Sequence, residues 1–360
     1  EPRLPKRKVV LMMGFCGTGY QGMQVNPGAK TIEGDLFAAL VAAGAVSKDN
    51  ADDPKKVGLM RAARTDKGVH AAGQVISLKI IALLAAYLAV AWHMIVEDPN
   101  ILDKINSHLP DQIRVWGFVR SMNSFHAKNM CDSRIYEYLL PTYVLQSQDV
   151  FKAPAMQTDV SAAEGKVYTD VETGAQFVWV PPVPSTPEEM AERRAYRIDE
   201  ATLARVREAL GMYEGTHNFH NYTCGKRATE ESAKRFIISF KCSDPFMHQG
   251  TEWLSLKVHG QSFMLHQIRK MVSMMVLLVR TGTPLSVIGR SFAHNKINIP
   301  KAPGLGLLLE QTVFQSYSRK CQEQHGREPI DFGKYQDAID EFKRTQIYQR
   351  IVAEELQFNK

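Results

Sequence analysis

Short apolar segments typical of β-strands alternate along this chain with longer segments of helical period, and the two halves share a comparable layout without a strict repeat. Strands are predicted near residues 9–13, 74–80, 113–119, 133–140, 236–243, 252–258 and 307–309. Helices are predicted over residues 31–43, 98–109, 200–212 and 262–280. This order predicts strands mixed with helices around a substantial core.

Composition narrows the class of protein. The length of 360 residues suits two domains or one large composite domain, and 44% hydrophobic with 23% charged residues is typical of a globular chain. Lys and Arg number 44 against 38 Asp and Glu, and this net charge of +6 hints at a polyanionic partner. The five cysteines form no CxxC pair, which excludes a disulfide framework and a Cys-rich zinc module and favours a reducing compartment.

Two segments interrupt the periodic pattern. Residues 81–94 form an apolar run, but a membrane-spanning helix needs about 20 apolar residues. We therefore favour a buried or groove-lying helix over a membrane span and expect no membrane partner. Residues 146–198 are polar and proline-rich in part, which indicates an insertion or linker.

Asp66 lies at a bend between two extended segments, just before the turn-forming pair Lys67-Gly68. One interpretation is a structural Asx turn. The other is catalytic, because Arg61, Arg64 and Lys67 surround a single carboxylate and would keep it ionised, as a nucleophile requires. Arginines in that position would also hold a phosphodiester backbone near the carboxylate.

A second candidate is the strand that carries Arg134, Tyr136 and Tyr138. The two tyrosines share one face and Ile135 takes the other. The tyrosines form either a cross-strand aromatic pair or a stacking platform for a base removed from its helix.

The third candidate follows Gly260 on a predicted helix, where Leu265 and Ile268 belong to a buried stripe. His266 and Arg269 are three residues apart on an adjoining face. An arginine among so many apolar neighbours requires an anionic partner, and Asp66 is the obvious one.

Two further motifs are assigned to structure. The glycine-rich residues 14–22 match neither GxGxxG nor GxxxxGK, which excludes a nicotinamide-dependent oxidoreductase built on that loop and leaves a turn between strands. His217, His220 and Cys224 match no standard zinc spacing, so loop-stabilising hydrogen bonds are favoured over a metal site.

Taken together, five motifs in order resemble the tRNA pseudouridine synthase A (TruA) family, over residues 6–314. They are Phe15-x-Gly17-x-x-Tyr20-x-Gly22-x-Gln24, Arg64-Thr65-Asp66-Lys67-Gly68-Val69-His70-Ala71, Arg134-x-Tyr136-x-Tyr138, Phe263-Met264-Leu265-His266-Gln267-Ile268-Arg269 and Ala302-Pro303-Gly304-Leu305-Gly306-Leu307-Leu308-Leu309. Residues 217–221 and 296–303 are similar to those of the eukaryotic, fungal-type members.

The resemblance implies an α+β fold in which two ferredoxin-like (RRM-like) subdomains join into one mixed, largely antiparallel sheet flanked by helices, with a catalytic cleft between them. It divides the chain into an N-terminal catalytic subdomain over residues 1–145, the insertion over 146–198, a C-terminal subdomain over 199–315 and a charged helical tail over 316–360. It also implies isomerisation of uridine to pseudouridine in RNA, which requires no redox or metal cofactor. The alternative is an RNA-binding or RNA-folding protein of the same fold that has lost activity.

The resemblance assigns roles by position. Asp66 is expected to be the nucleophile, at C1′ of the sugar or C6 of the base, with Tyr136 stacked on the uracil and Arg269 paired with Asp66. The expected RNA-binding residues are Arg61, Arg64, Lys67, Arg134, Leu265 and His266. Leu265 or Leu307 would form the apolar wall that excludes water.

The same resemblance sets the expectations for partners and compartment. tRNA is the expected RNA partner, small nuclear RNA is a second candidate, and the protein is expected to be a monomer. A nuclear location is expected, with mitochondrial and cytoplasmic locations as alternatives. Pro5-Lys6-Arg7-Lys8 fits a nuclear import signal and fits at least as well a short basic lead into a strand. Residues 81–94 depart from the family pattern, and a displaced strand over residues 74–80 would disturb Asp66.

Overall fold

The computed structural model describes residues 6–81, 100–147, 166–169, 176–179 and 186–358. The predicted run at residues 81–94 lies, beyond residue 81, outside the described residues, as does much of the segment 146–198. The described strands are β1 (Lys6–Phe15), β2 (Met60–Arg61), β3 (His70–Ile81), β4 (Ile113–Arg120), β5 (Ser133–Pro141), β6 (Lys166–Thr169), β7 (Gln176–Trp179), β8 (Gly215–Asn218), β9 (Lys234–Cys242), β10 (Phe246–His248), β11 (Thr251–Gly260) and β12 (Leu307–Val313).

Ten of these strands form one sheet in the order β4-β1-β3-β12-β5-β11-β9-β8, with β2 beside β3 and β10 beside β11. Strands β6 and β7 pair with each other. Strand β12 runs parallel to β3, while the other described pairs of the large sheet are antiparallel. The predicted α+β class with a mixed, largely antiparallel sheet is therefore confirmed. The sheet is continuous because β12 joins β3 of the N-terminal half to β5 of the C-terminal half.

Helices cover both faces of this sheet. They are α1 (Ile32–Ala42), α2 (Ile101–Ser107), α3 (Pro187–Ala195), α4 (Glu200–Gly211), α5 (Gln267–Arg280), α6 (Ser286–Ser291), α7 (Gln315–His325), α8 (Gln336–Phe342) and α9 (Gln349–Phe358), and a π-helical segment (Lys343–Tyr348) joins α8 to α9. In the part of the chain that the structure describes, no helix is both long and apolar enough to cross a bilayer.

The alternation of side chains in β1 shows how the two faces are filled. Val9, Leu11 and Met13 pack with α1 and α2, whereas Val10 and Met12 face the opposite side and pack with the C-terminal helices α7–α9. We call the first side the front face and the second the back face. On the front face of the C-terminal half, α4 and α5 cover β5, β9 and β11. The division of the chain at residues 145, 198 and 315 stays a prediction.

Candidate active site

A cleft of about 800 Å³ opens on the front face between the two halves. It lies among the loop that enters β3, the loop between β4 and β5, strand β5 and the segment that enters α5. Eight of the nine predicted site residues line it, namely Arg61, Arg64, Asp66, Arg134, Tyr136, Leu265, His266 and Arg269. Lys67 is exposed on the turn beside it and is absent from the lining. The fold thus gathers residues separated by up to 208 positions, although their roles stay predictions.

The Asp66 loop is supported from behind by the glycine-rich residues 14–22. The Met23 N–H donates to the Thr65 carbonyl oxygen at 3.2 Å. A Cβ atom on Gly17 would overlap the backbone of Val69, so the two chain segments approach as closely as glycine permits. The sequence motif interpreted as a turn between strands therefore also forms the support for the Asp66 loop.

Buried His70, at the start of β3, also holds the glycine-rich residues 14–22 in place behind the Asp66 loop. Its Nδ1 accepts a hydrogen bond from the Gly17 N–H at 3.1 Å. Burial lowers the pKa of His70 to about 4, so the ring is neutral at neutral pH and able to accept this bond.

The carboxylate of Asp66 is half-exposed at the cleft, with 49% of its side chain accessible. His266 Nδ1 lies 3.7 Å from Asp66 Oδ2. Burial, followed by the charge of Lys301, lowers the pKa of His266 below its ordinary value, while Asp66 acts in the opposite direction. The imidazole is therefore mainly neutral at neutral pH, and its contact with Asp66 is weaker than an ion pair.

The predicted helix over residues 262–280 is wrong at its start. Helix α5 begins at Gln267, and His266 has a φ of 64°, in the left-handed region. The side chain of Gln267 accepts from the Met264 N–H at 2.9 Å, which stabilises the non-helical backbone before α5. His266 consequently reaches Asp66 from a loop, and not from the helical face shared with Arg269 that the sequence predicted.

Arg269 enters the cleft from the first turn of α5. Its Nε donates to the Ala302 carbonyl oxygen at 2.6 Å, and its guanidinium lies beside Gly304. Across residues 6–81, 100–147 and 186–358, no ion pair within 4.0 Å joins Arg269 to Asp66. Arg269 therefore lines the cleft with its Nε bound to a backbone carbonyl oxygen. Its pairing with Asp66 stays a prediction.

Tyr136 lies on the front face of β5, between the two halves of the core. Its ring meets Phe263 edge to face, with 5.3 Å between centroids and an interplanar angle of 84°. Burial raises the pKa of its hydroxyl to about 12, so the hydroxyl stays protonated at neutral pH. Tyr136 can therefore present a ring face and a hydrogen-bond donor to a bound base.

Two of the predicted RNA-binding arginines are occupied by protein acceptors. Arg134 donates to the carbonyl oxygens of Gln261 at 2.7 Å and Ala62 at 3.1 Å, which ties the Asp66 loop to the segment before α5. Arg61 pairs through Nε with buried Glu33 of α1. These contacts show a scaffolding function for both side chains, whereas Arg64 is exposed at the cleft.

The loop between β4 and β5 forms a wall that our sequence reasoning missed. His126, Lys128 and Asn129 of this loop line the cleft. The available signal was a pair of basic side chains in the loop directly before the Arg134 strand, but loop residues carry no period that places them in space.

The histidines after α4 make hydrogen bonds within their own segment. His217 Nε2 lies 2.8 Å from the Glu214 carbonyl oxygen and the ring stacks on Phe292, while His220 Nδ1 lies 3.2 Å from Asn218 Oδ1. Within the described residues, no group of three or more metal-ligating side chains comes together.

A half-exposed carboxylate, a partly buried tyrosine and several cations in one cleft define an enzyme site suited to a base carried on a polyanion. The family model described as tRNA pseudouridine synthase matches residues 209–315. The chain is 47% identical to tRNA pseudouridine synthase 1 of Yarrowia lipolytica, across 99% of this chain and 72% of that protein. It is 47% identical to tRNA pseudouridine synthase 1 of Candida glabrata, across 100% and 70% of the two chains.

A mammalian protein shows the same relationship. The chain is 40% identical to the pseudouridylate synthase 1 homolog of Mus musculus, across 98% of this chain and 71% of that protein. This chain belongs to the tRNA pseudouridine synthase family.

Proposed function

We propose that this chain isomerises uridine to pseudouridine in tRNA, with Asp66 as the nucleophile. The observation that carries the proposal is the position of Asp66, whose half-exposed carboxylate faces a cleft that also contains Tyr136 and Arg269. The family membership supports the reaction class. The cleft volume of about 800 Å³ lies within the usual range for small-ligand sites and exceeds that of one everted nucleotide.

The reaction exchanges one bond for another within a single nucleotide. The N1–C1′ bond breaks, the uracil turns, and C5 joins C1′, after which C5 loses its proton and N1 gains one. Asp66 supplies the nucleophile at C1′ or at C6, and either route needs an ionised carboxylate. Unstacking the target uridine costs a few kcal/mol, which contacts with the RNA backbone must offset.

Tyr136 and the apolar side chains beside it suit the turning base. The aromatic face of Tyr136, held edge-on by Phe263, offers a stacking surface, and the hydroxyl remains a donor throughout the neutral pH range. Leu265 is 54% exposed at the cleft, an unusual position for a large apolar side chain. Bound RNA would cover Leu265 and exclude water, which would otherwise release the detached uracil.

The test is tritium release from tRNA that carries 5-tritiated uridine, because loss of the C5 proton accompanies each turnover. The wild-type chain is expected to release tritium, and Asp66→Asn is expected to lower the rate by at least about 1,000-fold. Filter binding should show tRNA affinity of Asp66→Asn within about threefold of wild type, because the amide keeps the shape of the loop. Retained turnover in Asp66→Asn would contradict the proposal, and absence of release by the wild-type chain would favour an RNA-binding protein without activity.

We also propose that small nuclear RNA is a second substrate and that the protein acts as a monomer in the nucleus. The shared chemistry of structured RNA supports the first, and the basic residues Lys6-Arg7-Lys8 support the nuclear location, although they begin strand β1. Tritium release from small nuclear RNA tests the second substrate, and light scattering tests the monomeric state. Imaging of the tagged full-length protein tests the nuclear location.

A further inference from the structure

A cluster of buried charges lies on the back face of the sheet, opposite the cleft. Glu137 of β5 is 2% exposed, and its partner Lys343, at the start of the π-helical segment, is 6% exposed. Glu310 of β12 completes the cluster with 17% of its side chain exposed. None of these groups takes part in the proposed reaction.

Lys343 joins two strands through one ammonium group. Its Nζ lies 3.0 Å from Glu137 Oε2 and 2.6 Å from Glu310 Oε2. The Tyr348 hydroxyl donates to Glu137 Oε2 at 2.7 Å, and Ser255 of β11 donates to Glu137 Oε1. The carboxylate of Glu137 is therefore fully satisfied, as a buried charge requires.

Burial of the Glu137 carboxylate is electrostatically unfavourable, and the ammonium group of Lys343 is the main charge that offsets this penalty. Burial acts to raise the pKa of Glu137, but the charge of Lys343, the bond from Ser255, the charge of Lys257 and the bond from Tyr348 together lower it below its ordinary value. Removal of one partner from a buried pair leaves an uncompensated charge, which is strongly destabilising locally. Lys257, 3.1 Å from Glu310 and 49% exposed, is too solvated to replace Lys343.

One of the two strands that Lys343 joins carries Tyr136, and the other pairs with β3, the strand that follows the Asp66 loop. Glu137 follows Tyr136 in β5, so the two side chains leave the same strand on opposite faces. Glu310 lies at an irregularity in β12, directly after Leu309, which pairs with Tyr136 on one side and with Ala71 on the other. Ala71 is in turn five residues from Asp66, at the start of β3.

The C-terminal helices do not need this charge in order to dock. Phe342, Ile347 and Ile351 are buried in the apolar core of the back face, and Phe342 meets Trp116 of β4 edge to face at 5.3 Å. A π-helical turn at Lys343 departs from regular α-helix, and such turns frequently occur at functional sites. This apolar packing contributes to docking of the helices independently of the ammonium of Lys343.

We propose that Lys343 is a positioning residue for the reaction, which binds β5 to β12 from the back face and so fixes Tyr136 relative to Asp66. This inference rests on the proposed function of the cleft. It makes the C-terminal helices part of the enzyme's active scaffold, although no residue of theirs reaches the cleft.

The test compares Lys343→Met with Lys343→Arg and with Arg344→Met. Arg344 is adjacent in sequence, 61% exposed and paired with Glu341, so its loss is a matched control for charge and helix position. Lys343→Met is expected to lower the single-turnover rate by about 10- to 100-fold, the effect of a misplaced catalytic group, with tRNA affinity unchanged. Lys343→Arg and Arg344→Met are expected to stay within about threefold of wild type.

A rescue experiment separates positioning from general loss of stability. Glu137→Gln combined with Lys343→Met removes both charges and is expected to restore the rate to within about fivefold of wild type, because the amide oxygen can accept from one of the Ser255 and Tyr348 hydroxyls while its NH2 donates to the other. Tyr348→Phe is the milder variant, which removes one hydroxyl from Glu137 and leaves the fold intact. It should lower the rate about threefold, in line with the net value of one hydrogen bond.

Hydrogen exchange gives a readout that does not depend on activity. Lys343→Met is expected to raise exchange at the β5 and β12 amides selectively, and Arg344→Met is not. A wild-type rate in Lys343→Met, a loss confined to tRNA affinity, or unchanged exchange in β5 and β12 would each overturn the inference. Failure of the wild-type chain to release tritium would instead contradict the proposed function and leave the exchange result to decide the structural claim.

Discussion

At the scale of single residues, the state of Tyr136 determines how it can contribute. Its pKa is raised to about 12 by burial, so its hydroxyl is a donor and not a base at any pH near neutrality. Its ring lies beside Phe263 in the same cleft as Asp66. The hydroxyl should therefore matter to turnover more than to RNA binding.

Tyr136→Phe is expected to lower the single-turnover rate by about 10-fold, the upper range for one hydrogen bond, with tRNA affinity within about threefold. Tyr335→Phe is the control, because its ring packs on the back face beside Gly117 of β4 and is absent from the lining of the cleft. A Tyr136→Phe rate equal to wild type would show that only the ring is used. The wild-type rate should show no inflection from this tyrosine below about pH 11.

His70 makes stability depend on pH. Its pKa is about 4 in the folded chain, below the ordinary value of 6.5, because the ring is buried. As the pH falls, His70 of the unfolded chain is protonated near pH 6.5, whereas the folded chain takes up this proton only near pH 4. The contribution of His70 to stability is therefore complete above pH 6.5 and declines as the pH falls towards 4. The expected loss over that interval is about 3 kcal/mol.

Denaturant unfolding at several pH values measures this effect. In His70→Asn the amide oxygen can accept the Gly17 N–H in place of Nδ1 but does not titrate, so the decline between pH 6.5 and 4 should be smaller by about 3 kcal/mol than in wild type. Equal pH dependence in the two proteins would rule out the assigned state of His70.

At the scale of elements, the glycine-rich loop and the Asp66 loop form one packed unit. Gly17 touches the backbone of Val69, and Gly22 approaches the carbonyl oxygen of Thr65, so neither position accepts a side chain without movement of the Asp66 loop. Hydrogen bonds from Met23 and Gly17 complete the contact. The glycine-rich loop thus supports the backbone of the Asp66 loop.

Gly17→Ala is expected to destabilise the fold by about 1–3 kcal/mol through overpacking, and to lower turnover further by moving Asp66. Gly211→Ala is the control, since its Cβ would meet no atom within 4 Å and its position ends helix α4. It should be neutral or stabilising by up to about 1 kcal/mol. Thermal unfolding and single-turnover rates measure both, and a fully active Gly17→Ala would contradict the support function of the loop.

Local patterns predicted the regular elements but not the irregular ones. The period of two in β5 correctly placed Tyr136 and Tyr138 on one face, because one face of that strand is buried in the core. The apolar residues 263–265 suggested helix, yet the Gln267 side chain takes the Met264 N–H and α5 starts later. Strand β8 has four residues with little apolar character, so its sequence predicts a loop, and the strand forms through pairing with the distant β9.

At the scale of the whole molecule, the candidate site lies at the seam between the two halves of the sheet, where β12 joins β3 to β5. Asp66 comes from the N-terminal half, Arg269 and His266 from the C-terminal half, and β12 crosses between them beside Tyr136. The sequence identified nine of the cleft-lining residues, Leu307 included, because all but Arg61 lie in motifs within recognisable strands and turns. It could not identify His126 and Lys128, the occupied guanidinium of Arg134 or the back-face cluster of Lys343, because these depend on contacts between distant segments.

The central claim is that Asp66, at this seam, isomerises uridine in tRNA. The most direct test maps pseudouridine in unmodified tRNA transcripts after incubation with the pure wild-type chain and with Asp66→Asn, at equal tRNA occupancy. The account predicts pseudouridine at defined uridines with the wild-type chain and none with the variant. Pseudouridine at the same uridines in both reactions, or in neither, would contradict it.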